Sequence, residues 1–515
     1  MAGQPALIGL DIGTTGCRAV AYALDGSMVA SSAEDYPLHT PQAAWAEQDP
    51  EVICQAVMRV TRATSRKAAG LGVAITGLAL SSVMHSLMAV DADGRALSPM
   101  LIWADSRSQA QVGELAAHFG AEELYRRSSC PLHPMYPLAK VLWFRQERPE
   151  SFARAARFIG IKEYVGYRLF GKYLVDRSIA TATAIYNLHT GDWDAELLQF
   201  LGITADQLST IVPTTHLEPI PEPAARRFGL PADAVVVLGA SDGVLSSLGA
   251  GTVQPGQITA MIGTSGAVRM ICEGPRVDPE RRLWCYNLTE QLWVLGGAIS
   301  NGGVVFRWVR DTLSEPERRI ADQMGVDPYE ILSREAAQVA PGSDGLILLP
   351  YFSGERAPFY DADARGVFFG LNLNHGKRHL IRAALEGVCY SLCSVFNALR
   401  SVAGEAREIR ASGSFTRSPL WTQILADVLG QPIQVPGEPE GAAFGAAVLG
   451  MHALGHLEDI REVGKFIRIK ETYQPIPENQ AVYQECFAIY DRLYGCLRNE
   501  FHAVSQLQRR LAQGD

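Results

Sequence analysis

Two carboxylates and two small turns carry most of the chemistry that can be read along this chain. The first turn lies in LIGLDIGTTGCRAVAYAL, residues 7–24, where an apolar run ends at Asp11 and turns through Gly13, Thr14, Thr15 and Gly16. The pattern returns half a chain later, as IGTSG at Ile262–Gly266 against IGTTG at Ile12–Gly16. Each copy follows one apolar run and precedes another. Glycine lets a backbone approach a ligand closely, and successive N–H groups in a tight turn form an anion-binding nest. Threonine and serine hydroxyls add donors. Two such turns suit a polyphosphate held from both sides. An ordinary hairpin needs glycine, but neither the hydroxyl pair nor the repeat.

The second carboxylate is Asp242, in VVVLGASDGVLSSLGAG. It follows the apolar run Val235–Leu238 and a tight exit at Gly239, Ala240 and Ser241. A carboxylate between a strand and a helix is by default an N-cap. Its place just ahead of the second turn gives it another role, because Asp11 and Asp242 can divide a phosphoryl transfer. One carboxylate holds Mg²⁺, which keeps several waters and uses few protein ligands. The other accepts a proton from an attacking hydroxyl. Positioning and charge neutralisation carry most of such a reaction, so a weakly basic aspartate suffices. Two glycine-rich stretches fit nucleotide binding: GGAISNGGVVFRW, with Gly302 and Gly303, and IRASGSFTRS, with Gly413 and Ser414. Either alone also fits a plain loop. No G-x-x-x-x-G-K-[ST] and no G-x-G-x-x-G occurs, so neither a P-loop nor a dinucleotide fold is indicated.

The elements that must position these groups alternate between strand and helix, which means an α/β fold. The opening predicts a three-stranded meander over residues 7–11, 18–24 and 28–33, with Asp25-Gly26 as its second turn. A helix is expected over residues 50–69, with Asp49 as N-cap and Pro50 at its first position. Residues 77–82 read as a short buried strand, residues 136–147 and 195–201 as helical, and residues 481–511 as a C-terminal helix. The repeated turn, with matched flanks, predicts a duplicated domain, divided as residues 1–250 and 251–515.

Bulk properties narrow the classes. The chain has 515 residues, 47% of them hydrophobic, and a formal net charge of -9. That charge argues against nucleic acid and anionic membranes as partners. No apolar run approaches the roughly 20 residues that span a bilayer. Nine cysteines are scattered without a C-x-x-C pair, so free thiols and a cytoplasmic location are expected. Oligomeric state cannot be read from these residues; a homodimer stands as the expectation.

DIGTTGCR, MYPLAKVLWFRQE, GASDGVLSSLG, IGTSG, GVFFGLNLNHGKRHLIRAALE and ASGSFTRS occur in this order. On these stretches the chain resembles the FGGY carbohydrate kinases over nearly its whole length. MYPLAKVLWFRQE and the GVFFGL…ALE stretch fit the family's two signature patterns at every specified position. The resemblance implies two ribonuclease-H-like lobes of the actin and Hsp70 type around a cleft, with ATP and Mg²⁺. It implies Asp242 as general base on a sugar hydroxyl and Asp11 as the organiser of Mg²⁺. Thr14, Thr15 and Arg18, with Gly263, Thr264 and Ser265, would surround the phosphates. Gly303, Gly413, Ser414 and Ser418 would line the nucleotide site. Ser414 stands where many members have glycine, which should alter ribose or adenine contacts without abolishing them.

Met84 and His85, in SSVMHSL, match a substrate-contacting pair of the xylulose kinases. Trp103, in LIWADSRS, matches an aromatic that packs on the polyol in glycerol kinases. Without the resemblance, His85 reads as a structural histidine and Trp103 as a core aromatic. YPLHTPQAAWAEQDPE, SSVMHSLMAVD, WADSRS and CPLHPMYPLAK look most like the gluconate kinases of the family, with xylulose kinases close behind. Gluconate is an anion and needs a donor or cation, for which Arg107 and His85 are candidates. A nucleotide switch of the actin or Hsp70 kind is the alternative of another class, and Asp242 with the two signatures speaks against it.

Overall fold

The run before Asp11 forms a strand, β1 (Gln4–Ile12), buried from Ala6 to Leu10. Strands β2 (Gly16–Ala23) and β3 (Met28–Asp35) complete the expected meander. The computed structural model describes residues 4–42, 44–437 and 441–513. Helix α1 (Pro50–Gly70) starts where Asp49 accepts from the N–H groups of Glu51 and Val52. Its buried residues include Ile53, Val57, Val60, Thr64 and Ala68, one face of a helix, and this face covers the meander. Strand β4 (Val73–Ser82) runs parallel to β1. Helices α2 (Pro137–Glu147) and α3 (Ile161–Phe170) follow. Strands β5 (Leu217–Pro219) and β6 (Val235–Ser241) close the first sheet, whose order is β5-β6-β4-β1-β2-β3. Helix α4 (Asp242–Gly249) begins directly at the end of β6.

The second sheet repeats this topology. Strands β7 (Gln257–Ile262), β8 (Gly266–Glu273) and β9 (Leu292–Ile299) form a second meander. Helices α5 (Gly303–Trp308), α6 (Pro328–Ala336) and α7 (Lys377–Ala403) precede β10 (Glu408–Ser412), α8 (Pro419–Leu429) and β11 (Ile433–Pro436). After helix α9 (Ala442–Ala453) come β12 (Ile469–Tyr473) and the C-terminal helix α10 (Pro477–Gln513). The strands run side by side as β9-β8-β7-β10-β11-β12, and a seventh strand over Trp284–Asn287, without a counterpart in the first sheet, lies beyond β9. In each sheet two parallel strands join the first strand of the meander, and an antiparallel edge strand ends the row. The duplicated α/β architecture expected from the repeated turn is therefore present in the pairing itself.

Two compact units divide the chain. The first comprises residues 1–255, 271–295 and 438–467, and the second comprises 256–270, 296–437 and 468–515. Helix α9 is thus a late segment built into the first unit. It is apolar on all sides and buried from Ala443 to Met451, as expected of a helix enclosed by protein. Glycines let it approach. A Cβ at Gly9 would fall 1.9 Å from the Ala443 carbonyl oxygen, and one at Gly445 would fall 2.0 Å from the Leu245 oxygen. Gly249 meets the Gly441 oxygen in the same way, at 2.1 Å. The α4–α9 contact is therefore backbone on backbone, and it fixes the helix that Asp242 begins. No helix among the described residues is long and apolar enough to cross a membrane.

Gly445→Ala forces these two helices apart. We expect it to lower unfolding stability by about 2 kcal/mol or more, the scale of overpacking in a closed core, as measured by denaturant midpoint. A variant as stable as the parent would contradict the contact.

Candidate active site

Three strand ends of the first unit carry the candidate groups. β1, β4 and β6 are parallel neighbours, with Asp11 opposite Ser81, and Ser82 opposite both Ile12 and Ser241. Their C-terminal ends therefore bring Asp11, the Met84–His85 segment and Asp242 to one edge, where open α/β sheets bind ligands. β1 and β6 lie two strand spacings apart, about 10 Å.

Asp11 is half-buried, and its Oδ1 accepts from the Ser81 hydroxyl at 2.8 Å. Burial pushes its carboxyl above the usual range, while Ser81 and the charge of Arg18 draw it back. Arg18 stands directly across the hairpin from Asp11. Asp242 is the first residue of α4, and the N-cap position belongs to Ser241. The default capping role therefore does not fall to Asp242. Its Oδ1 accepts from the Gly243 N–H at 2.6 Å.

The first turn is braced through its carbonyls. Tyr36 donates its hydroxyl to Gly13 O at 2.5 Å and to Gly16 O at 3.1 Å. The Gln48 amide donates to Thr14 O at 2.8 Å, and the Tyr36 N–H to Thr15 O at 3.1 Å. All four carbonyls are engaged, whereas the N–H groups of Thr14 and Thr15 donate to no partner among the described residues. The Trp103 indole donates to Thr14 Oγ1 at 2.9 Å, which leaves that hydroxyl's proton to be donated. Trp103 is therefore tied to the turn.

His85 is buried in a left-handed backbone conformation, φ 64°. Its Nδ1 lies 2.7 Å from the Ala182 carbonyl and so carries the proton. The Tyr136 ring packs edge-on against it, with centroids 4.8 Å apart. Beneath it lies Lys140, fully buried on α2, whose Nζ donates to His85 O at 2.6 Å and to Ile102 O at 2.8 Å. Burial brings this ammonium down to about 7, against the pull of Asp105. Lys140 thus joins the loop of His85 to the residue before Trp103. Arg107, a candidate partner for a substrate carboxylate, is already engaged within the protein. Its guanidinium bonds Asp105 and Glu47 and lies 3.6 Å from the Trp45 ring centroid, with only 4% of the side chain exposed. Two carboxylates already neutralise it.

The second unit repeats the carbonyl arrangement at the second turn. Gly303 N donates to Gly263 O at 2.7 Å, Gly302 N to Thr264 O at 3.2 Å, and Gly263 N to Ser265 O at 2.8 Å. Gly302 and Gly303 are glycine for this reason, since a Cβ would fall 2.4 Å from Ser265 O and 2.6 Å from Gly263 O respectively. Gly413, at φ 101°, backs onto Ile262 O in the same manner, at 2.5 Å. Beside the turn opens a cavity of about 600 Å³, within the range of small-molecule sites. Gly263, Thr264, Gly303, Ser414 and Ser418 line it; Ser265 and Gly413 are not among its lining residues. Ser418 also caps α8, accepting from Trp421 N at 3.3 Å. Phe306, Tyr329 and Arg334, which the motifs did not single out, complete the wall with other residues of α5, α6 and α8.

Residues 6–249 match the N-terminal domain of the FGGY family of carbohydrate kinases, and residues 258–454 match its C-terminal domain. The chain belongs to this family. It is 40% identical over 507 residues to a gluconokinase of Bacillus subtilis (strain 168), covering 98% of each chain. It is 27% identical over 492 residues to a xylulose kinase of Staphylococcus epidermidis, covering 95% of this chain and 96% of that one. The crystal structure of a gluconate kinase from Lactobacillus acidophilus superposes with a TM-score of 0.90 at 35% identity, over 97% of this chain and 99% of that one. The protein is a carbohydrate kinase with the fold expected of one. Tyr36, Gln48 and Lys140 lie within stretches that carry the resemblance, but their roles rest on partners distant in sequence, which no local pattern shows.

Ser81→Ala removes the hydrogen bond that holds the Asp11 carboxyl down. Asp11 should then titrate at higher pH than in the parent, followed by carboxyl-carbon NMR; an unchanged titration would contradict the environment described.

Proposed function

We propose that the protein transfers the γ-phosphoryl group of ATP to a hydroxyl of gluconate, giving 6-phosphogluconate. The observation that carries this reading is Asp242, uncapping and half-buried, at the same sheet edge as Asp11 and the Met84–His85 segment. The nucleotide is assigned to the second unit's cavity, with its phosphates on the Gly263–Ser265 turn and the adenosine toward Ser414 and Ser418. Thr14, Thr15 and Arg18 take phosphate oxygens on the first unit. Met84, His85 and Trp103 hold the sugar.

The sugar hydroxyl gives its proton to the Asp242 carboxylate. Its oxygen forms a bond to the γ-phosphorus, the bond from that phosphorus to the β-phosphate oxygen breaks, and ADP leaves. Asp242 need accept the proton only late, because the transition state is loose. Asp11 fits a hard cation: it is a half-buried carboxylate with one oxygen oriented by Ser81. Mg²⁺ held there supplies charge neutralisation at the phosphates.

Gluconate is favoured by the 40% identity to a gluconokinase over nearly the full chain. Xylulose is the second reading, and the neutralised Arg107 favours it, since a neutral ketose asks for no cation.

Asp242→Asn should lower turnover by at least about two orders of magnitude, the scale of a general base, while ADP still binds. A coupled ADP-release assay over gluconate, xylulose, ribulose and glycerol reads both points. Near-normal turnover of the variant rejects the proton-acceptor role. Higher kcat/KM for a neutral ketose than for gluconate rejects the substrate.

A further inference from the structure

Asp242 follows a distorted strand end. β6 loses its register with β4 between Val237 and Ala240. Gly239 lies at φ 68°, and a Cβ there would fall 1.8 Å from Leu80 O, so only glycine fits. Such bulges re-aim the residues that follow them, and what holds the new direction then matters.

Two side-chain groups hold it. Lys162 of α3, buried, donates from Nζ to Ala240 O at 3.0 Å and pairs with Asp176 Oδ2 at 2.7 Å. Asp176 Oδ1 in turn accepts from Ile179 N at 3.0 Å, which fixes the short helical turn over residues 177–181. From that turn Ser178 Oγ accepts from Ser241 N at 3.2 Å, and the two serine hydroxyls lie 3.2 Å apart. The peptide leading into Asp242 is therefore gripped on both sides. A buried ion pair costs desolvation on both partners and is poor evidence for stability. This one is placed where its ammonium meets the last carbonyl but one before Asp242.

The charges acting on Lys162 are Asp176, Glu163 and Asp242 itself. Burial draws the ammonium down, and these three hold it up. Of the other elements packed here, β4 and β6 carry no ionisable side chain, α9 carries only His452 and the 177–181 turn only Arg177; α1 and the helix over residues 222–228, which also pack on α3, carry charges, but none of these is among those acting on Lys162.

We propose that Lys162, held by Asp176, is a positioning residue for Asp242: it fixes the peptide that leads into this carboxylate and sets the charge the carboxylate feels. The inference rests on Asp242 being the proton acceptor.

The test compares Lys162→Met and Lys162→Arg with Asp242→Asn, reading kcat across the acid limb, KM for ATP, and ADP binding. Lys162→Met should lower kcat by about 10²-fold, the scale of a misplaced catalytic group, with KM for ATP unchanged. Its acid limb should move to higher pH, because losing a nearby positive charge favours the protonated carboxylate. Lys162→Arg should keep the limb in place even where kcat falls. If Lys162→Met does not fold, Lys162→Met with Asp176→Asn leaves no charge of the pair uncompensated; because both charges are lost, it is read on kcat alone, where a value near the parent's overturns the role of Lys162. A folded, ADP-binding Lys162→Met with an unmoved limb, beside an inactive Asp242→Asn, overturns the role of Lys162 alone. An active Asp242→Asn overturns the proton-acceptor reading instead.

Discussion

Each glycine turn has its carbonyls engaged by the protein, and the candidate phosphate sites depend on that constraint. A backbone must satisfy both its donors and its acceptors. At the first turn Tyr36, Gln48 and the hairpin itself take every carbonyl. At the second, the start of α5 does the same work with backbone N–H groups. What remains on each turn is a pair of N–H donors without an acceptor among the described residues, and such donors suit an anion. The two solutions differ chemically. Side chains brace the first turn, whereas the second is braced by main chain, which is why Gly302 and Gly303 cannot carry a Cβ there.

The same economy of space governs the first unit's sheet edge. Asp11, Met84, His85 and Asp242 reach one edge because β1, β4 and β6 are parallel and end level, with Ile12 and Ser241 both opposite Ser82. Parallel strands need cover on both faces. α1 provides one cover, and α9, a segment from late in the chain, packs against β1 and β4 as well. Its closeness to α4 is set by glycine against carbonyl, not by interlocking side chains. Motion of α9 therefore cannot be absorbed by rotamer changes, and α4 must follow it.

The parts legible in sequence were those with local patterns. The meander, α1 with its Asp49 cap, the repeated turn and the C-terminal helix each show as periodicity, a cap or a repeat. Asp242 was legible because a strand end, a small-residue exit and a helix start meet within a few residues. The braces were not. Tyr36, Gln48, Lys140 and Lys162 act on atoms that only the fold brings near, so the sequence shows the residues but not what they hold. At Arg107 the sequence shows the cation and Asp105 two residues before it, but not Glu47, which only the fold brings to the same guanidinium.

The two buried lysines of the first unit solve related problems with different chemistry. Lys140 donates to two carbonyls, and a neutral amine still has two N–H groups to offer. Its link between the His85 loop and the Trp103 loop therefore survives loss of the proton, which matters for a group brought down to about 7. Lys162 bonds one carbonyl and one carboxylate. Losing its proton would leave Asp176 buried beside a neutral amine, so this contact depends on charge in a way the first does not. The His85 and Trp103 loops are thus held by hydrogen-bond count and the Asp242 strand end by an ion pair. Of the two, only the second also sets the electrostatic surroundings of a carboxylate at the site.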